Sequence, residues 1–145
     1  QTLLVCRVGE QERMAIPLAQ VARLEEFATS AIEHSGEQPV VQYRGEIMPL
    51  VDLAAFFSGE PGQYGEMRHV VVYAERGRSV GLVVGQILDI VSERLDIQRR
   101  AVRAGIVGSA VLQQRVTDII DIATVVASVD PSFTGARGGV AGMAA

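Results

Sequence analysis

The chain has 145 residues, of which 48% are hydrophobic, and a formal net charge of −4. This length suits one domain or two small units that share a core, and the apolar fraction excludes global disorder. The acidic balance gives no electrostatic basis for nucleic-acid binding. No uninterrupted run of about 18 apolar residues occurs, so no segment is predicted to insert into a membrane. Cys6, the single cysteine, excludes a disulfide framework and a thiolate metal site.

The first part of the chain is a series of short strands separated by turns. Strands are predicted over 2–8, 13–16, 22–27, 40–43 and 46–50, with a loop over 28–38 and a short helix over 53–57. Pro17 closes the second strand, because proline cannot donate a hydrogen bond to a central ladder. The segment 58–62, followed by Gly65, is the strongest break and predicts a junction between two units near 58–66.

The second part of the chain follows the same order of elements. A hairpin is predicted from strands over 69–75 and 79–91, then a charged irregular stretch over 92–104, a hairpin over 109–121 and a helix over 122–129. The connections are too short for crossover helices, which favours antiparallel pairing. Residues 132–145 are predicted to form a flexible Gly/Ala tail or linker. Because the chain begins inside a strand, it is expected to be part of a longer protein.

Three stretches of the first part recur in the same order about 66–69 residues later. The clearest is the hairpin and Asp-led helix at 43–57, which is matched by 112–126. Chance matching of Val, Ile and Leu is the alternative, but the Asp-apolar-Ala element and the shared Gln20 and Gln86 argue against it. The sequence therefore predicts two similar β-units, with the N-terminal strand 2–8 pairing into the second unit.

No group of residues predicts catalysis, a metal or a cofactor. His34 and His69 have no His or Cys at ligand spacing. For His34, a role as a phosphoacceptor or general base is one interpretation, and an exposed loop histidine without such a role is the other. Asp52 and Asp121 resemble a catalytic pair, but each precedes a short apolar helix, where aspartate caps the free N–H groups. The glycines of 105–108 lack the strand-loop-helix context and the lysine of a phosphate loop.

Arg44 lies at the tip of a tight hairpin, where Gly45 tolerates a positive φ. Two interpretations stay open: a solvated turn residue, or a contact to a partner. Along the following strand, Ile47, Pro49 and Val51 are expected to alternate with outward residues, so that part of the hairpin belongs to the core. The candidate partner-binding residues are Arg44, Gly45, Glu46 and Ile47.

The segments 44–53, 80–84 and 106–111 together resemble the CheW-like domain of bacterial chemotaxis, and the resemblance covers residues 2–130. It implies an all-β fold with short helices, in which two intertwined small five-stranded β-barrels meet at a hydrophobic seam within residues 1–131. Two positions depart from the family pattern. Gly85 stands where the family often has Asp, and Gln114 stands where a turn glycine is common, at a cost of about 1–2 kcal/mol if it is left-handed.

Two subfamilies share this pattern: the free coupling protein CheW and the C-terminal regulatory domain of the histidine kinase CheA. The segment 33–45 looks like the kinase version, and 128–133 looks like the lead into a further domain. The expected function is therefore a non-catalytic regulatory domain of a CheA-type kinase, whose catalytic domain is not in this chain. A stand-alone CheW-type adaptor is the alternative, and a small β-barrel hydrolase is a remote one.

The resemblance also implies where such a domain works and what it binds. Its partners would be the cytoplasmic tip of chemoreceptors, a CheW-type coupling protein and the rest of the kinase chain. It would be cytoplasmic and lie at receptor arrays on the inner face of the membrane. Neither nucleic acid nor direct membrane insertion is implied.

Overall fold

The computed structural model describes residues 1–10, 12–101 and 103–130, and the tail predicted at 132–145 lies outside them. The described part folds into β-strands with two short helices, α1 (Leu53–Ser58) and α2 (Ile122–Val129). The strands are β1 (Thr2–Val8), β2 (Glu12–Pro17), β3 (Arg23–Ala28), β4 (Glu33–Ser35), β5 (Gln38–Tyr43), β6 (Glu46–Asp52), β7 (Met67–Glu75), β8 (Arg78–Val84), β9 (Gln86–Ser92), β10 (Arg99–Arg100), β11 (Ile106–Leu112) and β12 (Arg115–Ile120).

These strands form two six-stranded sheets. The first has the order β10-β11-β12-β2-β1-β9, and the second has the order β3-β7-β8-β6-β5-β4. Each sheet has one strand more than the expected five, because a very short edge strand, β4 or β10, is added at one end. The predicted loop over 28–38 is wrong at β4: this strand pairs with β5 across a turn in which Gly36 has a φ of +66°.

The two sheets are built on one plan. In the first, β12 runs parallel to β2 with Ile119 opposite Ala15; in the second, β6 runs parallel to β8 with Leu50 opposite Gly81. The remaining strand pairs of both sheets are antiparallel. β1 pairs with β2 and β9, just as β7 pairs with β8 and β3. Each sheet therefore combines the first two strands of one half of the chain with the last four of the other half.

The strands at the centre of each sheet are buried on both faces. Along β1, Leu3 and Val5 belong to a core inside the first sheet, whereas Leu4, Cys6 and Val8 face the opposite way. These last three residues belong to a shared core that takes buried side chains from both sheets and from both helices. Burial on both faces explains why β1 and β8 are almost continuous apolar runs instead of alternating ones.

Gly85 marks the point where the chain passes from one sheet to the other. β8 ends at Val84 in the second sheet and β9 begins at Gln86 in the first, so the single strand predicted over 79–91 is wrong. The Gly85 N–H donates to the carbonyl of Arg7 at 2.9 Å, and a Cβ on Gly85 would lie 3.2 Å from that same oxygen. The close approach of two backbones explains a glycine at this position.

Burial raises the pKa of the Cys6 thiol from 9.0 to about 12. The unfolded chain therefore loses the thiol proton above about pH 9 while the folded protein keeps it, so stability falls as the pH rises from about 9 to about 12. We expect the free energy of unfolding to drop by about 1 kcal/mol more between pH 8 and 10 in the parent protein than in Cys6→Ala. Urea titrations of both proteins at the two pH values measure this difference, and an equal drop in both would contradict it.

Candidate partner-binding surface

The hairpin of β5 and β6 places the candidate residues around a two-residue turn. Tyr43 lies opposite Glu46, which leaves Arg44 and Gly45 as the turn, with φ of +55° and +80°. Positive φ at both positions defines the hairpin turn whose twist matches the flanking strands. Arg76 and Gly77 form a second turn with the same signs of φ, so the left-handed backbone of Arg44 reflects hairpin geometry.

The Arg44 side chain contacts the aromatic ring of its neighbour. Its guanidinium carbon lies 5.5 Å from the centre of the Tyr43 ring, a cation–π distance. The Tyr43 hydroxyl donates to a Glu25 carboxylate oxygen at 2.8 Å, and burial followed by this hydrogen bond raises the pKa of Tyr43. Within the described residues, Arg44 has no carboxylate within ion-pair distance. The turn therefore presents a cation over an anchored aromatic ring.

Ile47 is the exposed apolar residue of this hairpin. It is 70% exposed and lies opposite Gln42, so its expected place in the core is wrong. Met48 and Leu50 point into the core of the second sheet instead, while Val51 is buried in the shared core as expected. Alternation places Ile47 and Val51 on the face opposite Met48 and Leu50, and this face is covered by the shared core at Val51 but is open to solvent at Ile47 beside the turn.

Two grooves meet at this hairpin. One has a volume of about 680 Å³ and runs along β4, β5 and β6, past Gly45, Glu46 and Ile47. The other, of about 270 Å³, lies between this hairpin and the β7–β8 turn and is lined by Arg44 as well as Glu46 and Ile47. The structure thus brings all four candidate residues to one surface, on which an exposed aliphatic side chain lies between two concave regions.

The hairpin of β11 and β12 repeats this arrangement, as the sequence repeat predicts, but its exposed apolar residues were not among the candidate residues. Gln113 and Gln114 have φ of +52° and +64°. Gln114 therefore has the left-handed backbone for which the sequence predicts strain. Val116, the counterpart of Ile47, is 72% exposed and lies opposite Val111, which is 46% exposed. The repeat itself was the available signal, since it aligns Ile47 with Val116.

The two repeated aspartates are helix caps, as predicted. Asp52 accepts hydrogen bonds from the N–H groups of Ala54 and Ala55, and Asp121 accepts from Thr124. Asp52 has a further role, because its carboxylate also accepts from the Gly62 N–H at 2.9 Å and from the Tyr64 hydroxyl at 2.6 Å. This aspartate therefore fixes the segment that connects the two halves of the chain.

The two histidines are on separate strands. His34 is exposed on β4, and His69 lies 3.3 Å from Glu26 on the neighbouring strand β3. The described ranges contain no group of three or more His, Cys, Asp or Glu residues that could hold a metal ion. The helices in those ranges are also too short or too polar to cross a membrane.

The fold and this surface define a mainly β protein with two exposed hairpins that carry apolar side chains. A family model described as the CheW-like domain matches residues 2–130, and the chain belongs to this family. A curated relative, "Probable chemotaxis protein CheW" of Rhizobium etli, is 31% identical over 94 residues, which are 62% of this chain. Those residues are 59% of the relative, so the match spans under two thirds of its length.

A solved structure shows the same fold. The scaffolding protein TtCheW from Thermoanaerobacter tengcongensis matches with a TM-score of 0.70 and 16% identity, over 84% of both chains. At this identity the similarity concerns the fold alone. The predicted fold class, all-β with short helices of the CheW-like kind, is confirmed, and family membership supports the expectation that this chain is not an enzyme.

Proposed function

We propose that this chain is a coupling domain of bacterial chemotaxis that joins chemoreceptors to their histidine kinase by protein–protein binding. The observation that carries this proposal is the match of the CheW-like domain to residues 2–130. The stand-alone adaptor is favoured over the regulatory domain of a CheA-type kinase, because both named relatives are CheW proteins. The proposed partners are the chemoreceptor cytoplasmic tip and a CheA-type kinase, and the proposed location is the receptor array.

The chain organisation that we propose for this coupling function is two β sub-units within residues 1–131, joined near 58–66. The pairing of β1 with β9 supports it, because the N-terminal strand then belongs to the sheet that holds most of the second half. Asp52 supports the position of the junction, since its carboxylate binds Gly62 and Tyr64. The exchange of strands between halves would keep the two sub-units in a fixed relative position.

The proposed contact surface is the hairpin of Arg44, Gly45, Glu46 and Ile47. Binding energy at protein interfaces comes mainly from a few apolar or arginine side chains that are desolvated on contact. Ile47 supplies exposed apolar area, and Arg44 supplies a cation at its edge. Charged groups of this kind set specificity and the association rate, whereas apolar burial slows dissociation.

The test is the affinity of hairpin variants for a chemoreceptor tip fragment and for a CheA-type kinase. Arg44→Ala is expected to weaken binding by about 1–2 kcal/mol, the range for a lost charge-assisted hydrogen bond. Ile47→Ser is expected to weaken binding by about 1.5 kcal/mol, roughly tenfold in Kd. Isothermal titration calorimetry measures both, with unchanged melting temperatures as the check on folding.

Val116→Ser is the matched control, because Val116 has the same place and exposure in the other hairpin. It should bind the partner of the first hairpin normally. Unchanged affinity of Arg44→Ala and Ile47→Ser for both partners would remove this hairpin from the contact surface. Failure of the parent chain to bind either partner would overturn the coupling function itself.

A further inference from the structure

Three arginines from three strands line one small pocket at an end of the first sheet. Arg7 lies on β1, Arg13 on β2 and Arg115 at the start of β12. The pocket has a volume of about 240 Å³. Its other lining residues are Glu12, Leu88, Asp89 and Gln113. Arg7 and Arg13 face each other across one hairpin, and the pairing of β12 with β2 brings Arg115, about 100 residues further along the chain, to the same place.

Like charges face each other in this pocket. Arg7 and Arg13 are directly opposite in the pairing of β1 and β2, an arrangement that destabilises a sheet. The pKa of Arg13 is lowered, first by burial and then by repulsion from Arg115. Repulsion among the three arginines therefore opposes folding, and attraction from Asp89 and Glu93 offsets only part of it.

Hydrogen bonds hold two of the arginines in place. Arg13 donates through Nε to Thr117 Oγ1 at 3.0 Å and through Nη2 to the Gln113 side-chain oxygen at 2.6 Å and the Leu112 carbonyl at 3.3 Å. Arg7 donates to the side-chain oxygen of Gln86. Each guanidinium has five N–H donors, so several donors remain for a ligand. Fixing these long side chains in advance lowers the entropy lost on binding.

The two carboxylates of the pocket do not pair directly with these arginines. Glu12 binds Arg103 at 2.9 Å, and Asp89 accepts from the Gln113 side chain and the Ile90 N–H, each at 2.8 Å. In the part of the chain that the structure describes, no ion pair within 4.0 Å includes Arg7, Arg13 or Arg115. Asp89 and Glu93 act on Arg13 only through longer-range attraction, so donors for an anion remain.

The equivalent pocket of the second sheet shows that the fold does not require this cluster. Its matching positions are Ala74, opposite Ser79 in the strand pair, and Glu46 at the start of β6. These three residues carry no positive charge. Two pockets built on one plan therefore differ in chemistry, which argues for a specific role of the arginines in the first.

We propose that the pocket of Arg7, Arg13 and Arg115 binds a small tetrahedral oxyanion of the phosphate class. Guanidinium groups match phosphate oxygens with paired N–H donors, and three of them around one space suit a ligand with oxygens in several directions. A planar carboxylate would engage fewer of these donors. This proposal stands independently of the coupling function.

The test is a titration of the isotopically labelled chain with inorganic phosphate at constant ionic strength, followed by NMR. Saturable shifts are expected for the backbone amides of β1, β2 and β12 that surround the pocket. Arg115→Gln is expected to raise the apparent Kd for phosphate by roughly tenfold, the effect of losing a charge-assisted hydrogen bond. Arg7→Gln is the second variant, and it should also melt at a higher temperature than the parent protein without phosphate.

Arg99→Gln is the matched control, because Arg99 is an exposed arginine on β10 outside the pocket. It should bind phosphate like the parent protein. Acetate in place of phosphate is expected to bind several-fold more weakly, and equal binding would overturn the preference for a tetrahedral anion. Shifts that do not saturate, or an unchanged Kd in both Arg115→Gln and Arg7→Gln, would overturn the site.

Discussion

Asp52→Ala is expected to lower the free energy of unfolding by about 2–4 kcal/mol. Loss of the helix cap accounts for about 0.5–2 kcal/mol. The remainder comes from the Gly62 N–H and the Tyr64 hydroxyl, which lose their shared acceptor. Burial, with the hydrogen bond to Asp52, raises the pKa of Tyr64, so this hydroxyl stays a donor at neutral pH. A buried donor without a partner costs about 1–3 kcal/mol, and these two partly buried donors are expected to lie at the lower end of that range.

Asp121→Ala is the matched control, since Asp121 occupies the same position before the second helix. Among the residues that the structure describes, its side chain binds only Thr124 and no connecting segment, so its removal is expected to cost about 1 kcal/mol. Denaturant unfolding of the two variants and the parent protein measures the difference. Equal destabilisation by both substitutions would show that the contacts of Asp52 to Gly62 and Tyr64 contribute nothing measurable.

The additional contacts of Asp52, which Asp121 lacks, affect how the two halves of the chain are connected. The cap of α1 also fixes the segment that leads into β7, and β7 pairs with β3 from the first half. Asp52 therefore both caps α1 and fixes the path of the chain between the two sheets. A local sequence pattern identified the cap, but the contacts with Gly62 and Tyr64 depend on a turn that no local pattern specifies.

Local patterns were sufficient to predict most strands and both helices. The apolar run 2–8 became β1 with the same bounds, and the helix predicted over 122–129 became α2. The Asp-led helices were recognisable because an N-cap followed by apolar residues has a direct physical cause. The short edge strands were not recognisable, since Glu33–Ser35 is polar and exposed and therefore has no apolar periodicity.

Features that depend on both sheets could not be predicted from local patterns. The run 79–91 reads as one strand because apolar residues continue through it, and only the crossing at Gly85 assigns them to different sheets. The exposure of Ile47 was missed for a related reason. Its strand has apolar residues at successive positions, so the alternation does not show which of them faces the core.

The two candidate surfaces also differ in how far local sequence patterns predict them. Arg44 and Gly45 were predictable as a turn, because Gly tolerates a positive φ and flanking strands were evident. The pocket of Arg7, Arg13 and Arg115 was not predictable as a whole, since Arg7 and Arg13 lie on one local hairpin but Arg115 reaches them only through the long-range pairing of β12 with β2. The repeat offers a way to find such differences, because equivalent positions with different chemistry indicate where the two halves have acquired different roles.

Gly105→Ala is expected to destabilise the protein by about 2–4 kcal/mol, through backbone strain and steric overlap together. Gly105 has a φ of +89°, where a side chain costs about 1–2 kcal/mol. A Cβ there would also lie 2.6 Å from Phe56 and 3.0 Å from Phe57 on α1, whose rings pack edge to face against each other. Overpacking of this kind costs about 1–3 kcal/mol.

Gly77→Ala separates the two causes, because Gly77 has a similar φ of +78° but open space around the position of a Cβ. It should cost only the backbone part, about 1–2 kcal/mol. Thermal and denaturant unfolding of both variants measure the difference in the free energy of unfolding. This difference is the contribution of the contact between α1 and the loop before β11. Because α1 belongs to the first half and Gly105 to the second, equal destabilisation would mean that this contact does not hold the halves together.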